Sequence, residues 1–215
     1  LLDVSDDWVH PKNGSLPKMI YELHGLSDGC SMGIGGSMHF VDESKNFIGS
    51  TAIVSNSIPV GVGYAYGLKL KKNKSKVFIF LGDASIESGT FYESINFAII
   101  HKLNIVFICE NNFYSVYSNF KERQPRNREI HQMVSSIGVN SCKIFSNNPF
   151  KIFEKLKKFI DKNPLSFIEI DTYRYIEHCG PNKDDNLNYR PKKELNYWLS
   201  KDFYNYLFDN KYVKK

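Results

Sequence analysis

The sequence has no C-x-x-C pair and no clustered histidines to complete a zinc site, and its four cysteines, Cys30, Cys109, Cys142 and Cys179, lie far apart. Widely spaced thiols fit a reducing compartment, a cytoplasm or an organelle matrix such as that of a mitochondrion or plastid. Long apolar runs are missing too. The longest, Val77 to Leu81 and Ile105 to Cys109, are far too short to span a bilayer, so no membrane anchor is expected. The first ten residues carry Asp3, Asp6 and Asp7 and lack the basic and apolar regions of a secretory signal, which argues against export. A large charge of one sign is absent as well: 28 basic residues against 23 acidic ones leave a formal net charge of +5. Much of the lysine sits in short amphipathic stretches, Lys69 to Lys76 and Lys155 to Lys158, that read as solvated helix faces. With no nucleic-acid motif beside them, nucleic acid is not an expected partner. What is present is 42% hydrophobic and 24% charged content over 215 residues, enough for one globular domain with a sizeable core and opposed to disorder.

Glycine is concentrated between Gly25 and Gly67, with six glycines before Pro59, and that density implies loops whose backbone must come close to something. A helix is expected from Pro59, since proline suits the first helical position, and Gly61, Gly63 and Gly67 would let a neighbouring element pack near its axis. Val77 to Leu81 is a continuous apolar run of the kind buried on both faces in a parallel sheet, and it ends in Gly82-Asp83-Ala84. Phe91, Ile95, Ala98 and Ile99 follow at helical spacing. A second buried strand, Ile105 to Cys109, runs into Glu110-Asn111-Asn112. After a polar stretch from Lys121 to Glu129, Asn148-Pro149 opens a helix to about Lys162, and Phe167 to Thr172 reads as a third strand. Strand, helix, strand, helix, strand is the order of an α/β parallel sheet with helices on both faces, whose ligands bind at the carboxyl ends of the strands.

Two buried strands therefore end in hard oxygen donors, Asp83 after the first and Asn112 after the second, and parallel pairing puts both ends on one edge. A carboxylate, a carboxamide oxygen and a neighbouring carbonyl form part of an octahedral set that suits Mg²⁺, with phosphate and water supplying the rest. Gly82 keeps the turn tight, and a helix after Ala84 would present free N–H groups and a positive dipole end to an anion. The residues alone leave a second reading open, in which Asp83 caps the helix and Asn112 makes an Asx turn.

Gly82-Asp83-Ala84 followed by Asn111-Asn112 resembles the thiamine-diphosphate motif, Gly-Asp-Gly through Asn-Asn, with Ala at the third place. Gly29-Cys-Ser-Met-Gly-Ile-Gly-Gly-Ser-Met-His39, Gly49 to Gly61, Ile108 to Asn112 and Thr172-Tyr-Arg-Tyr175 with His178 are similar to one branch of that superfamily. That branch comprises the α subunits of pyruvate, branched-chain and acetoin dehydrogenases, and the resemblance runs from about Leu16 to Ser200. It implies one thiamine-diphosphate-binding domain over 1–215, cut short at its N-terminus and open to truncation at its C-terminus. It also implies oxidative decarboxylation of a pyruvate-like 2-oxo acid, with the acyl group passed to a lipoyl-bearing acyltransferase component.

Carried over residue by residue, the resemblance gives Mg²⁺ to Asp83, the Asn112 side chain and the Tyr114 carbonyl. It gives the aminopyrimidine side to the backbone at Ala52 and Val54, and the diphosphate to Gly82, Ala84 and Ser85. Arg174 would order the active-site loop, and His178 would contact the diphosphate or the reacting complex. His39, near the expected cofactor mouth, admits a structural role equally well. The glutamate that acts on the aminopyrimidine comes from the β-type subunit in this family. Glu93 and Glu110 read as structural hydrogen-bonders, so a β-type partner in an α2β2 heterotetramer is implied. Two departures stand out: no basic Tyr/His-Arg stretch is found before Lys12, and Ile176, Glu177, His178 and Cys179 replace the family's His-Gly-His-Ser. Regulation by phosphorylation there is not expected. A transketolase-like subunit and a non-catalytic cofactor-binding or assembly subunit remain as alternatives.

Overall fold

The structure, a computed structural model, describes residues 15–209. The segment in which the basic stretch was sought therefore lies outside the described residues. Helix α1 (Leu16–Leu23) starts at Ser15, whose hydroxyl accepts from the Lys18 N–H, with proline in its first turn. Helix α2 (Ser57–Leu70) precedes strand β1 (Val77–Gly82), and a 3₁₀ turn, Asp83–Glu87, separates that strand from α3 (Gly89–Ile100). Strand β2 (Ile105–Asn111) leads into a small hairpin, β3 (Tyr114–Ser115) and β4 (Ser118–Asn119), and then into α4 (Phe120–Arg123) and α5 (Ile130–Ser136). Strand β5 (Asn140–Ile144), α6 (Pro149–Ile160), β6 (Ser166–Asp171), α7 (Lys192–Leu199) and α8 (Phe203–Asp209) complete the order. No helix among the described residues is long and apolar enough to cross a membrane.

The main sheet is parallel, in the order β1-β2-β6-β5. Alternate residues of a strand face opposite sides, and the two sides carry different covers. Ile79, Leu81, Ile105, Phe107 and Phe167 pack with α2, α3 and α5 in the larger core cluster. Val106, Ile108, Ile144 and Ile168 lie under Ile152, Leu156 and Phe159 of α6. Asn148 caps α6 by accepting from the Phe150 and Lys151 N–H groups at 3.0 and 3.2 Å, as the Asn-Pro pair predicts.

Four expectations need correction. Helix α2 begins at Ser57, two residues before Pro59. Of its glycines only Gly61 serves close packing, since a Cβ there would meet the Ile79 side chain at 2.6 Å, whereas Gly63 and Gly67 face open space. The chain after Ala84 is a 3₁₀ turn, and the α-helix starts only after Ser88, whose hydroxyl accepts from Thr90. The sheet has a fourth strand, β5. It was not legible because Asn-Ser-Cys-Lys-Ile carries one strongly apolar residue, and as an edge strand it buries only Ile144 fully.

Candidate functional site

Pairing of Gly82 with Glu110 and of Asn111 with Asp171 aligns the ends of β1, β2 and β6 on one edge of the sheet. Asp83 leaves β1 at that edge and is buried, 1% exposed. Burial pushes its carboxyl up to about 6, although the Arg123 guanidinium opposes the shift. Arg123 reaches over from α4 and donates to Asp83 Oδ2 at 2.5 Å while also pairing with Glu87. At the end of β2 the two asparagines divide the work. Asn111 is buried, donates to Glu169 Oε1 at 2.9 Å and accepts from Phe113 N–H at 3.0 Å. Asn112 Oδ1 accepts from Tyr114 N–H at 2.9 Å, which makes the Asx turn of the second reading. A carboxamide oxygen has two lone pairs, so this turn leaves one acceptor direction for a cation. Phe113 and Val116 stand at positive φ, 67° and 52°, folding the chain so that β3 packs against the turn at Asp83–Glu87.

The loop holding Ala52 and Val54 joins the same place. Ser55, at φ 67°, donates from its hydroxyl to the Ser85 carbonyl at 3.0 Å and ties the segment before α2 to the turn after β1. Ala52 and Val54 are themselves exposed. Ala84 is half-buried and Ser85 buried within the turn.

A residue that sequence reasoning missed organises the glycine-rich loop. Glu22, at the end of α1, is buried, and its carboxylate accepts from Ser31, Gly33 and Gly35 N–H groups at 2.7, 2.9 and 2.6 Å. Burial alone would raise its pKa, but these donors together with Gly36 N–H outweigh it and hold the carboxyl below the ordinary 4.5. Gly29 is required here: a Cβ would lie 2.7 Å from the Glu22 Cα. The signal was available only as a lone acid before a run of glycines, which has no fixed spacing to read. His39 is exposed and meets this loop through its backbone, donating N–H to the Gly35 carbonyl at 3.1 Å.

After β6 the chain forms a strapped loop. Arg174 donates to the Val116 carbonyl at 2.5 Å and the Ile176 carbonyl at 3.2 Å, joining this loop to the hairpin that follows Asn112. Arg190, 7% exposed, pairs with buried Asp184, donates to the Arg174 carbonyl and lies over the Tyr189 ring at 4.9 Å. Tyr114 hydroxyl donates to Glu194 of α7 at 2.9 Å, so the hairpin is also held from behind. His178 sits exposed on the outer part of the loop, with Cys179 exposed beside it. Glu93 is exposed on α3 and Glu110 is half-buried at the end of β2, opposite Gly82 and Ile170.

A second charged cluster lies next to this edge. Glu169, 1% exposed, gathers Asn111, the His131 N–H at 3.0 Å and the Lys143 ammonium at 3.1 Å. Burial raises the Glu169 carboxyl, yet these donors overcome it and hold it below the ordinary range. Lys143 also stands 3.1 Å from Asp171 Oδ1, off the line of a hydrogen bond. Glu129, His131 and Glu169 are close enough to share a metal ion, but the Lys143 ammonium already supplies their cation, 3.5 Å from Glu129 and 3.1 Å from Glu169. The cluster anchors Asn111, and through it the turn at Asn112.

The donor set at the sheet edge suits a hard divalent cation: a buried carboxylate balanced by a single guanidinium, a carboxamide oxygen with a free lone pair, and a hairpin brought beside them. The model for the dehydrogenase E1 component family matches residues 7–214. Relatives include the pyruvate dehydrogenase E1 component subunit alpha of Rickettsia bellii (strain RML369-C), 32% identical over 88% of this chain and 58% of its own length. That of Rickettsia conorii (strain ATCC VR-613 / Malish 7) is 32% identical over 93% of this chain and 63% of its own length. The mitochondrial protein of Solanum tuberosum is 32% identical over 86% and 46%. This chain thus spans about three fifths of the bacterial relatives it matches. With the motifs in order along a parallel sheet and the family model matching nearly end to end, the chain belongs to the dehydrogenase E1 component family.

Proposed function

We propose that this chain is the α-type subunit of a 2-oxo acid dehydrogenase first component, binding thiamine diphosphate and Mg²⁺ and acting on a pyruvate-like 2-oxo acid. The observation that carries this reading is the meeting of Asp83, Asn112 and the Tyr114 hairpin at one edge of a parallel sheet, within a chain of this family. Asp83, the Asn112 side-chain oxygen and the Tyr114 carbonyl hold Mg²⁺, whose charge offsets that of diphosphate. Gly82 is extended at the end of β1, and in the 3₁₀ turn that follows it the backbone N–H groups of Ala84 and Ser85 would take the diphosphate, while Ala52 and Val54 would meet the aminopyrimidine through their backbone. Bound thiamine diphosphate supplies the electron sink for decarboxylation. Arg174 fixes the loop against Val116, and His178 on that loop would contact the diphosphate or the reacting complex.

The carboxylate that must face the aminopyrimidine comes from a β-type chain, in an α2β2 assembly that passes its acyl group to a lipoyl-bearing acyltransferase. The exposed Met32, Ile34, Ile53 and Val54 give such a chain apolar surface to cover. The test is reconstitution. Chain alone and chain with a co-expressed β-type partner are assayed for 2-oxo acid decarboxylation with an artificial electron acceptor, with size-exclusion and light scattering for assembly. Activity only in the α2β2 form is expected; full activity of the single chain overturns the partner requirement.

A further inference from the structure

The sheet edge carries a cation of its own. Arg123 is the last residue of the single-turn helix α4, and its side chain is 13% exposed, so it is held within the site and not displayed on the surface. Its guanidinium is used on three sides: Nε donates to the Ser118 carbonyl at 3.3 Å, one terminal nitrogen goes to Glu87, and the other donates to Asp83 Oδ2 at 2.5 Å. The Phe120 ring, one turn earlier, lies 5.8 Å from the guanidinium carbon. A buried carboxylate needs a partner, because leaving it charged and alone is far more unfavourable than any single pair is favourable. Asp83 has that partner in Arg123.

A divalent cation on Asp83 would stand within a few ångströms of a guanidinium already seated on the same carboxylate, and two cations that close repel. We propose that Arg123 is the protein's own counter-cation for Asp83 and competes with the divalent metal for that carboxylate. Metal alone then binds weakly, because it must displace or repel Arg123 without compensation. Metal arriving with diphosphate binds well, because the phosphate oxygens offer the guanidinium a new anionic partner of the bidentate kind it favours. Arg123 is on this account a positioning residue that couples metal entry to diphosphate entry. The proposal rests on the assignment of Asp83 to the metal, and the experiment separates the two.

Mn²⁺ serves as the probe, titrated into the protein together with whatever partner chain it is purified with and read by electron paramagnetic resonance, with and without thiamine diphosphate. Wild type is expected to bind Mn²⁺ alone weakly and to gain strongly with thiamine diphosphate. Arg123→Gln should bind Mn²⁺ alone about tenfold to a hundredfold more tightly, the scale of one lost charge-assisted hydrogen bond, and should show a smaller gain on adding thiamine diphosphate. Arg123→Lys keeps the charge but cannot span both carboxylates, and should fall between. A merely structural Arg123 predicts the reverse, weaker Mn²⁺ binding in step with lower thermal stability.

If Arg123→Gln is unstable, recovery of its melting temperature by Mn²⁺ alone supports the competition. Failure to recover, with Arg123→Lys binding Mn²⁺ no better than wild type, overturns it, as does unchanged or weaker Mn²⁺ affinity in a folded Arg123→Gln. Asp83→Ala is the control: if it leaves Mn²⁺ binding with thiamine diphosphate intact, the metal assignment itself fails, whatever Arg123 does.

Discussion

Replacing Glu22 by alanine should loosen the glycine-rich loop selectively. In the folded chain one carboxylate accepts three backbone N–H groups from residues 31, 33 and 35, at 2.6 to 2.9 Å, and has no exposed surface. Each donor left without a partner would cost about 1–3 kcal/mol if it stayed buried. If water reaches the freed N–H groups once the carboxylate is gone, the combined loss should settle at about 2–4 kcal/mol. Glu22→Gln keeps one acceptor oxygen but sets an N–H₂ group against a donor, and should lose about 1–3 kcal/mol. The pH dependence has a definite sign. Because the folded carboxyl lies below its ordinary 4.5, its stabilisation is complete above that pH and is lost as pH falls through the lower folded value. The gap between wild type and Glu22→Gln should therefore close in acid. Hydrogen–deuterium exchange over residues 29–36 reads the local effect, and urea denaturation at pH 7 and below 4.5 reads the rest. Wild-type protection of the loop in Glu22→Ala, with stability within about 0.5 kcal/mol of wild type, would refute the reasoning.

Other substitutions test the remaining parts. Asp83→Ala should abolish metal-dependent thiamine-diphosphate binding in calorimetry, and an unchanged affinity with the fold intact would contradict its assignment. His178→Ala should preserve fold and most cofactor binding while lowering turnover in a steady-state assay, and wild-type turnover would return His178 to a surface residue. Arg190→Met leaves buried Asp184 without its cation and should lose about 3 kcal/mol, visible as faster exchange across residues 174–190. Gly29→Ala should destabilise about as much as losing Glu22, since its Cβ would meet the Glu22 backbone; a neutral effect in denaturation would count against the loop geometry.

The order of motifs and the buried strands β1, β2 and β6 were legible in the chain. Continuous apolar runs bounded by Gly-Asp, Glu-Asn-Asn and Asp-Thr admit few structures besides central strands of a parallel sheet, and parallel pairing alone puts Asp83 and Asn112 on one edge. The cap of α6 was equally plain, because Asn-Pro before an amphipathic run is a local signal. Local chemistry of this kind is written in neighbouring residues and can be read without knowing what packs against them.

What only the tertiary structure decided depends on partners distant in sequence. Strand β5 exists because β6 offers it an edge, not because its own residues favour it. Glu22, Arg123 and Glu169 each look like ordinary surface charges in the sequence. Their roles come from backbone donors nine to thirteen residues away, a carboxylate forty residues away and an asparagine fifty-eight residues away. A buried charge is stable only where the fold delivers its partners, and long-range pairing of that kind has no fixed spacing in the chain.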